Sequence, residues 1–152
     1  MATSDWAPLV ADVGAILRAR TKDSNGNELG TFTANTRPTD DQVDELIETG
    51  ITDIESEVGS VPDVLQDAAR RVAAIGTALL VELSFFPEQI STGRSPYDQL
   101  KELYDARFAR LKTQIEDVNA GGEVGGGDSS EALLPEYAFP ALCNPLGLDV
   151  RW

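Results

Sequence analysis

The chain has 152 residues, of which 41% are apolar, and its 26 acidic and 12 basic residues give a formal net charge of -14. This length suits one domain with a short appendage, and the apolar content is sufficient for a core. The acid surplus argues against a surface that grips nucleic acid or anionic lipid, because both require clustered lysine and arginine. It suits a protein that must stay soluble or must not adhere to DNA.

The counts of histidine and cysteine restrict the chemistry further. The sequence has no histidine, which removes His-based triads, most zinc sites and the usual general base near neutral pH. The single cysteine, Cys143, cannot form an internal disulfide and has no histidine to activate it, so we interpret it as a packing residue. Paired carboxylates and a Ser/Lys pair stay open, but no spacing favours either. We therefore expect no enzyme, no cofactor and no metal site.

No segment is expected to enter a membrane. Residues 1–6 have neither a basic start nor an apolar stretch, so they do not resemble a signal peptide. The longest apolar-rich run, residues 72–81, is far too short to span a bilayer and is typical of a buried helix.

The first predicted helix covers roughly residues 9–20, where apolar side chains recur on one face at helical spacing. The next segment contains Asn25-Gly26, the pair that a tight type I′ turn favours. Residues 31–33 prefer extended backbone. Residues 20–34 are therefore predicted to form a short β-hairpin, which must lean on another element to be stable.

The second helix has the clearest start in the sequence. Thr39 is predicted to be its N-cap, and Gln42, three places on, completes a capping box. Apolar residues from Val43 to Val58 form one stripe, and the helix is expected to end at Gly59.

The third helix is predicted to be the central one. It should open with Ser60 or Val61 before Pro62, and Pro87 should end it. Residues 72–83 are apolar nearly all round, which is typical of a helix packed on several sides, and their glycine and alanines allow close approach.

The fourth helix is predicted to begin at Ser95-Pro96, with an apolar stripe from Tyr97 to Ile115. The expected fold is therefore mainly α. It is a small bundle of four main helices within residues 1–119, with the hairpin between the first and second helices.

The composition changes after this helical domain. Residues 120–130 are rich in glycine and predict a flexible linker, because they lack the Gly-Lys-Ser/Thr ending of a phosphate-binding loop. Residues 131–152 contain three prolines, which prevent a long helix. This extended C-terminal tail either folds back on the helices or docks on a partner, and we favour docking. Its eight candidate partner-binding residues are Leu133, Leu134, Tyr137, Phe139, Leu142, Leu146, Leu148 and Trp152.

The second helix is strongly acidic, with eight acids and no base between residues 40 and 57. A solvated face is the ordinary explanation, yet like charges three or four residues apart cost roughly a few tenths of a kcal/mol each. The functional alternatives are a metal site and a face that repels another polyanion. The candidate acids for such a face are Asp40, Asp41, Asp44, Glu45 and Glu48.

The order of the local motifs resembles that of a known family. Residues 6–8 (Trp-Ala-Pro) precede the first helix, and residues 36–39 (Thr-Arg-Pro-Thr) open the second. Residues 81–89 (Val-Glu-Leu-Ser-Phe-Phe-Pro-Glu-Gln) close the third, and residues 95–97 (Ser-Pro-Tyr) open the fourth. This pattern, over roughly residues 5–115, resembles the head-to-tail adaptor, or connector, family of long-tailed bacteriophages.

The resemblance implies a small helical bundle whose copies form a ring, dodecameric in this family, beneath the portal protein in the phage neck. It implies a virion protein made in the cytoplasm of a bacterial host, with the portal and the next neck or tail-completion protein as partners. The ring would continue the DNA channel without binding DNA specifically. Such a channel should carry few cations, so we expect the five candidate acids at the lumen or its rim.

Rival classes stay open. An acidic DNA mimic, or another protein-interaction module, would use the same charge to occupy a nucleic-acid-binding protein. A mimic would be a monomer or dimer, and loss of the C-terminal tail should not affect it. Another neck component, such as a tail terminator, would be richer in strands than this sequence predicts.

Overall fold

The computed structural model describes residues 4–121, and these are mainly helical, as the sequence predicts. Most of the predicted linker and the whole C-terminal tail, residues 131–152, lie outside the described residues. The α-helices are α1 (Val10–Ile16), α2 (Asp40–Val58), α3 (Gln66–Phe85), α4 (Pro87–Ser91) and α5 (Tyr97–Asn119).

The first helix is shorter than predicted. It ends at Ile16, because Leu17 leaves helical geometry with φ -105° and ψ 44°, and a 3-10 turn follows over Arg18–Arg20. The break keeps Leu17 in the core while it turns the arginines away from the helix axis. The periodic pattern over residues 9–20 gave no sign of this break.

The irregular segment after α1 packs against that helix at Gly14. A Cβ added to Gly14 would lie 3.0 Å from the Cα of Thr31 and 3.3 Å from the carbonyl oxygen of Gly30. Phe32 is only 2% exposed and is part of the core cluster. The close approach therefore explains how an irregular segment is held, and a side chain at position 14 would press on the backbone of Thr31.

The predicted two-stranded hairpin over residues 20–34 is not confirmed. The described residues contain no strand, and two isolated antiparallel bridges join Lys22 to Glu28 and Asp23 to Thr36. The second bridge pairs the start of the segment with its far end, so the chain forms a broad loop rather than a ladder.

The turn of this loop also differs from the predicted type I′ turn. Gly26 has a positive φ of 85°, but Asn25 does not, and a type I′ turn requires both. The carboxylate of Asp23 holds the turn instead, because it accepts the backbone N–H groups of Asn25 and Asn27, both at 2.8 Å. Hydrogen bonds, chiefly from the Asn27 side chain, lower the pKa of Asp23 below its usual value.

The predicted cap of α2 is confirmed. Thr39 Oγ1 accepts a hydrogen bond from the Gln42 backbone N–H at 3.4 Å, and Gln42 Oε1 accepts one from the Thr39 N–H at 3.1 Å. The predicted end is also confirmed, since Gly59 follows the last helical residue with φ 75°.

The third helix begins later than predicted. Pro62 stays extended, a 3-10 turn covers Asp63–Leu65, and the α-helix begins only at Gln66. The predicted end of the third helix, at about Phe85 and before Pro87, is confirmed, because Phe86 leaves helical geometry. Pro87 then opens the short α4, which the sequence did not predict, because a proline needs no N–H partner at the first helical position.

The core is built around α3, which contacts α1, α2 and α5. A Cβ added to Gly50 of α2 would lie 3.3 Å from the Thr77 hydroxyl oxygen, and one added to Gly76 would lie 3.0 Å from the Tyr104 ring of α5. The small residues therefore bring the helices close, as predicted. The α5 stripe is only partly buried, since Leu111 and Ile115 are its fully buried residues.

Candidate assembly surfaces

The five candidate acids share the outer side of α2, and we call them the α2 acid row. Asp40, Asp44 and Glu48 follow one another at intervals of four residues, so they lie along one line of the helix. Asp41 and Glu45 lie beside that line and are exposed. The helix buries the side next to this line, which carries Val43, Ile47 and Ile54 among others.

The line of acids borders a groove of about 650 Å³. Asp40, Asp44 and Glu48 lie along α2, and residues 7–11 line the groove from the start of α1. Leu9, in this second group, is 67% exposed, so the groove includes accessible apolar surface. We call this feature the acid groove.

The α2 acid row has no basic counterpart in the described part of the chain. None of its five members forms an ion pair with a described residue. Partial burial, and then the charges of Asp40, Asp41 and Glu48, raise the pKa of Asp44 above its ordinary value. The row is therefore a concentration of negative charge that the described fold does not neutralise.

A second groove, of about 520 Å³, lies between α1, α3 and α5. It contains apolar side chains with substantial exposure, since Ile16 is 37% and Leu103 41% exposed. Its charged residues are Arg70, Arg71, Arg107, Asp12 and Asp67. We call it the arginine groove, because three of the chain's twelve basic residues meet there.

The arginines of this groove are largely uncompensated by the described residues. Arg71 and Arg107 form no ion pair with any described residue, and Arg70 makes one long hydrogen bond, 3.5 Å, to the backbone oxygen of Asp5. Arg110 lines an adjacent groove together with Arg71 and Arg107. Arginines thus continue along this side of α3 and α5.

The two grooves share no lining residue, and α1 is the one helix that contributes to both. Ala73 and Thr77 of α3 lie against Gly50 of α2. Arg71 and Ile75, which line the arginine groove, are each two residues from Ala73, or about 200° around a helix. The arginine groove therefore lies on the side of α3 away from α2.

One charged cluster is entirely structural. The Glu82 side chain is fully buried and accepts hydrogen bonds from Arg20 Nε at 2.7 Å, Arg20 Nη2 at 2.8 Å and Ser95 Oγ at 2.6 Å. The guanidinium of Arg20 also lies 3.9 Å from the centre of the Phe86 ring. This cluster, which we call the Glu82 cluster, joins the end of α1, the end of α3 and the start of α5.

Sequence reasoning singled out the acids of the α2 acid row, but it missed the arginine groove and the Glu82 cluster. Arg71 and Arg107 are far apart in the chain, and only the packing of α3 against α5 brings them together. Glu82 was visible as an acid inside the apolar third helix, and such an acid requires a buried basic partner. The sequence could therefore have predicted a buried ion pair between Glu82 and an arginine, with Arg20 as one candidate.

Several predicted features cannot be placed. The eight candidate partner-binding residues of the C-terminal tail, from Leu133 to Trp152, lie outside the described residues. Within residues 4–121, no group of three or more potential ligands is arranged to hold a metal ion, and no helix is long and apolar enough to cross a membrane.

Comparison of the chain with protein-family models, with curated proteins and with solved structures finds no match. The surfaces of the molecule and the order of its sequence motifs are therefore the features that bear on its function.

Proposed function

We propose that this chain is a structural protein of the bacteriophage neck. It forms a ring below the portal, continues the DNA channel and links head to tail. The proposal comes from the motif order over residues 5–115, and the mainly helical fold is compatible with it. The observation that carries it is the α2 acid row, an outward line of carboxylates without basic partners in the described residues.

The α2 acid row suits a surface past which DNA must move. A channel that carried exposed arginines would bind phosphates and release counterions, which slows a sliding polymer. Carboxylates repel the phosphates, but only within about one Debye length, roughly 8 Å at physiological salt. In a ring, the acids of every copy lie at one level, so the repulsion is repeated around the lumen or its rim.

The proposed partners come from the resemblance over residues 5–115. The ring is made of copies of this chain, the portal lies above it and the next neck or tail-completion protein lies below. The tail residues Leu133 to Trp152 are proposed to dock on the portal, because large apolar side chains after a glycine-rich linker suit a segment that orders on binding. DNA passes through without specific contacts, and the protein resides in the virion.

The test is particle mass by light scattering, on the full chain alone and with its cognate portal rings. We expect ring-sized particles, or co-elution with the portal that is lost when the chain ends at Gly121. That variant keeps every described helix, so circular dichroism should show unchanged helix and serve as its control. A full-length chain that stays monomeric and ignores the portal contradicts the proposal.

The same acid row also favours a second function, an acidic DNA mimic or protein-interaction module. Carboxylates along one helix can imitate the charge of a phosphate backbone and occupy a nucleic-acid-binding protein. The two functions differ in their response to truncation. A mimic captures its target as a monomer or dimer with or without residues 122–152, whereas the neck protein requires those residues for portal binding.

A further inference from the structure

The acid groove and the arginine groove have complementary charge and share an apolar character. Asp40, Asp44 and Glu48 border the first, next to the 67% exposed Leu9. Arg71 and Arg107 border the second, next to the 41% exposed Leu103. Each groove therefore offers exposed apolar surface surrounded by charge of one prevailing sign.

We propose that the acid groove of one copy docks on the arginine groove of a second copy. In this interface the carboxylates of Asp40, Asp44 and Glu48 face the guanidinium groups of the neighbouring arginine groove. Leu9 meets the apolar surface that Ile16 and Leu103 leave exposed there. The pairing gives both grooves a partner that the described fold of a single copy does not supply.

The contact joins two unlike surfaces, the acid groove of one copy and the arginine groove of the next. A two-fold symmetric contact would have to pair both grooves of each copy at the same time, because residue i then meets residue j and residue j meets residue i. A head-to-tail contact joins unlike surfaces, and repeating it generates a closed ring or an open filament. The two grooves share no lining residue, so both are available on every copy.

A second copy fits the arginine groove better than nucleic acid does. Asp12 and Asp67 line the same groove as the three arginines, and these acids would oppose a phosphate backbone. A protein surface differs from a phosphate backbone because its negative charges are separate. Each carboxylate of a second copy can lie beside one arginine and away from Asp12 and Asp67. The exposed Ile16 and Leu103 likewise require apolar contact, which Leu9 supplies.

This inference rests on the proposed function and divides the α2 acid row into two parts. Asp40, Asp44 and Glu48, along the acid groove, belong to the contact between copies. Asp41 and Glu45 do not line that groove, so they are left for the lumen or its rim.

The test uses charge reversal on each groove in the full-length chain. One variant carries Asp44→Arg with Glu48→Arg, and the other carries Arg71→Glu with Arg107→Glu. Each variant alone should lose self-association by at least tenfold in sedimentation velocity, because each then presents like charges across the contact. A mixture of the two should regain assembly with alternating copies, since every contact again joins opposite charges. All four substitutions in one chain should restore it as well.

Matched controls change the same charges elsewhere. Asp98→Arg with Glu102→Arg, and Arg18→Glu with Arg94→Glu, alter exposed residues outside both grooves and should leave self-association unchanged. Circular dichroism and thermal melting show that every variant is folded. Assembly of the wild type should also weaken as NaCl rises from 50 to 500 mM.

The outcomes separate this inference from the proposed function. If the wild type forms rings and the groove variants form them equally well, the grooves are not the contact, although the neck function stands. If the groove variants fail and their mixture assembles, yet no particle binds portal, the contact is correct and the neck function is wrong. A wild type that stays monomeric with portal overturns both. Binding of duplex DNA by the arginine groove, without self-association, overturns the contact.

Discussion

Glu82 and Glu48 have the same carboxylate group, but the two groups differ in burial and in hydrogen-bond partners. Glu82 is fully buried, and Arg20 and Ser95 donate hydrogen bonds to it. Glu48 lies at the surface among other acids and has no basic partner among the described residues. The charge of Glu82 is therefore neutralised within one copy of the chain. The charges of the α2 acid row are not neutralised there, so we expect them to act on another molecule.

This contrast distinguishes charges that hold the fold from charges that serve contacts. Removing one partner of a buried ion pair leaves the other charge without compensation, which is costly. Removing an acid from a like-charged surface relieves repulsion and should be neutral or favourable for folding. Stability measurements can therefore test the assignment of each group without any knowledge of the partner.

The largest effect is expected at Glu82. Glu82→Ala should lower the free energy of unfolding by about 3–5 kcal/mol, because Arg20 keeps its charge in a largely buried place without its carboxylate. Urea denaturation followed by circular dichroism measures this. The double variant Arg20→Met with Glu82→Met should lose less than the two single variants added together. A loss below about 1 kcal/mol for Glu82→Ala would mean that the cluster is not structural.

Removal of Ser95 tests the third member of the cluster. Ser95 Oγ donates to Glu82 and also accepts the Tyr97 backbone N–H at 3.1 Å, so it joins the ion pair to the start of α5. Ser95→Ala should therefore cost about 1–2 kcal/mol, as expected for the loss of one hydrogen bond to a backbone N–H and one to a charged group. Ser95→Thr keeps the hydroxyl and is the matched control. An alanine variant as stable as the wild type would show that the two hydrogen bonds of Ser95 are unimportant.

Thr77 supplies an intermediate case, a buried polar group without a partner. Its Oγ1 is the one buried side-chain oxygen or nitrogen without a hydrogen bond in the described residues, and it lies beside Gly50. Thr77→Val keeps the branched shape and removes the hydroxyl, so it should raise the unfolding free energy by about 1 kcal/mol. Thr77→Ser keeps the hydroxyl but removes a packed methyl group, and it should be destabilising. Equal losses for both variants would indicate that the hydroxyl has a partner in solution.

Features that depend on neighbouring residues were predictable from the sequence. The start of α2 needs only Thr39 and Gln42, and its end needs only Gly59, so local chemistry determines both. The outward position of the α2 acid row follows from helical periodicity in the same way. The short loop around Asp23 was mispredicted because a side chain replaced the expected backbone pairing.

Features that depend on distant residues were not predictable in this way. The 3-10 turn after α1 turns Arg20 toward Glu82, 62 positions away, and periodicity around residue 20 contains no information about that partner. The arginine groove likewise requires α3 and α5 to be placed side by side before Arg71 and Arg107 can meet. Tertiary packing therefore determines both features. The local sequence predicted one continuous helix over residues 9–20 and a mixed-charge exposed face on the fourth helix.

The smallest effect, and the one with a distinctive pH dependence, is expected at Asp44. Burial and the neighbouring acids raise its pKa in the folded state above the ordinary value of 3.8. The folded protein therefore binds more protons than the unfolded chain between these two values, and its stability falls as pH rises through that window. Above this window the ionised carboxylate of Asp44 lowers the free energy of unfolding, because it is repelled by the neighbouring acids. Asp44→Asn should therefore be more stable than the wild type at pH 7 by roughly a few tenths of a kcal/mol.

That advantage should shrink to nothing as pH falls below the ordinary pKa of an aspartate, where Asp44 is protonated in both states. It should also shrink in 1 M NaCl, where the Debye length is about 3 Å and the like charges of the row are screened. Urea denaturation of both proteins at pH 3, 5 and 7 measures the difference. An asparagine variant that is less stable than the wild type at pH 7 would show that the carboxylate has a favourable partner within the protein. Asp44 would then belong with Glu82, among the charges that hold the fold, and the acid groove would lose its central residue.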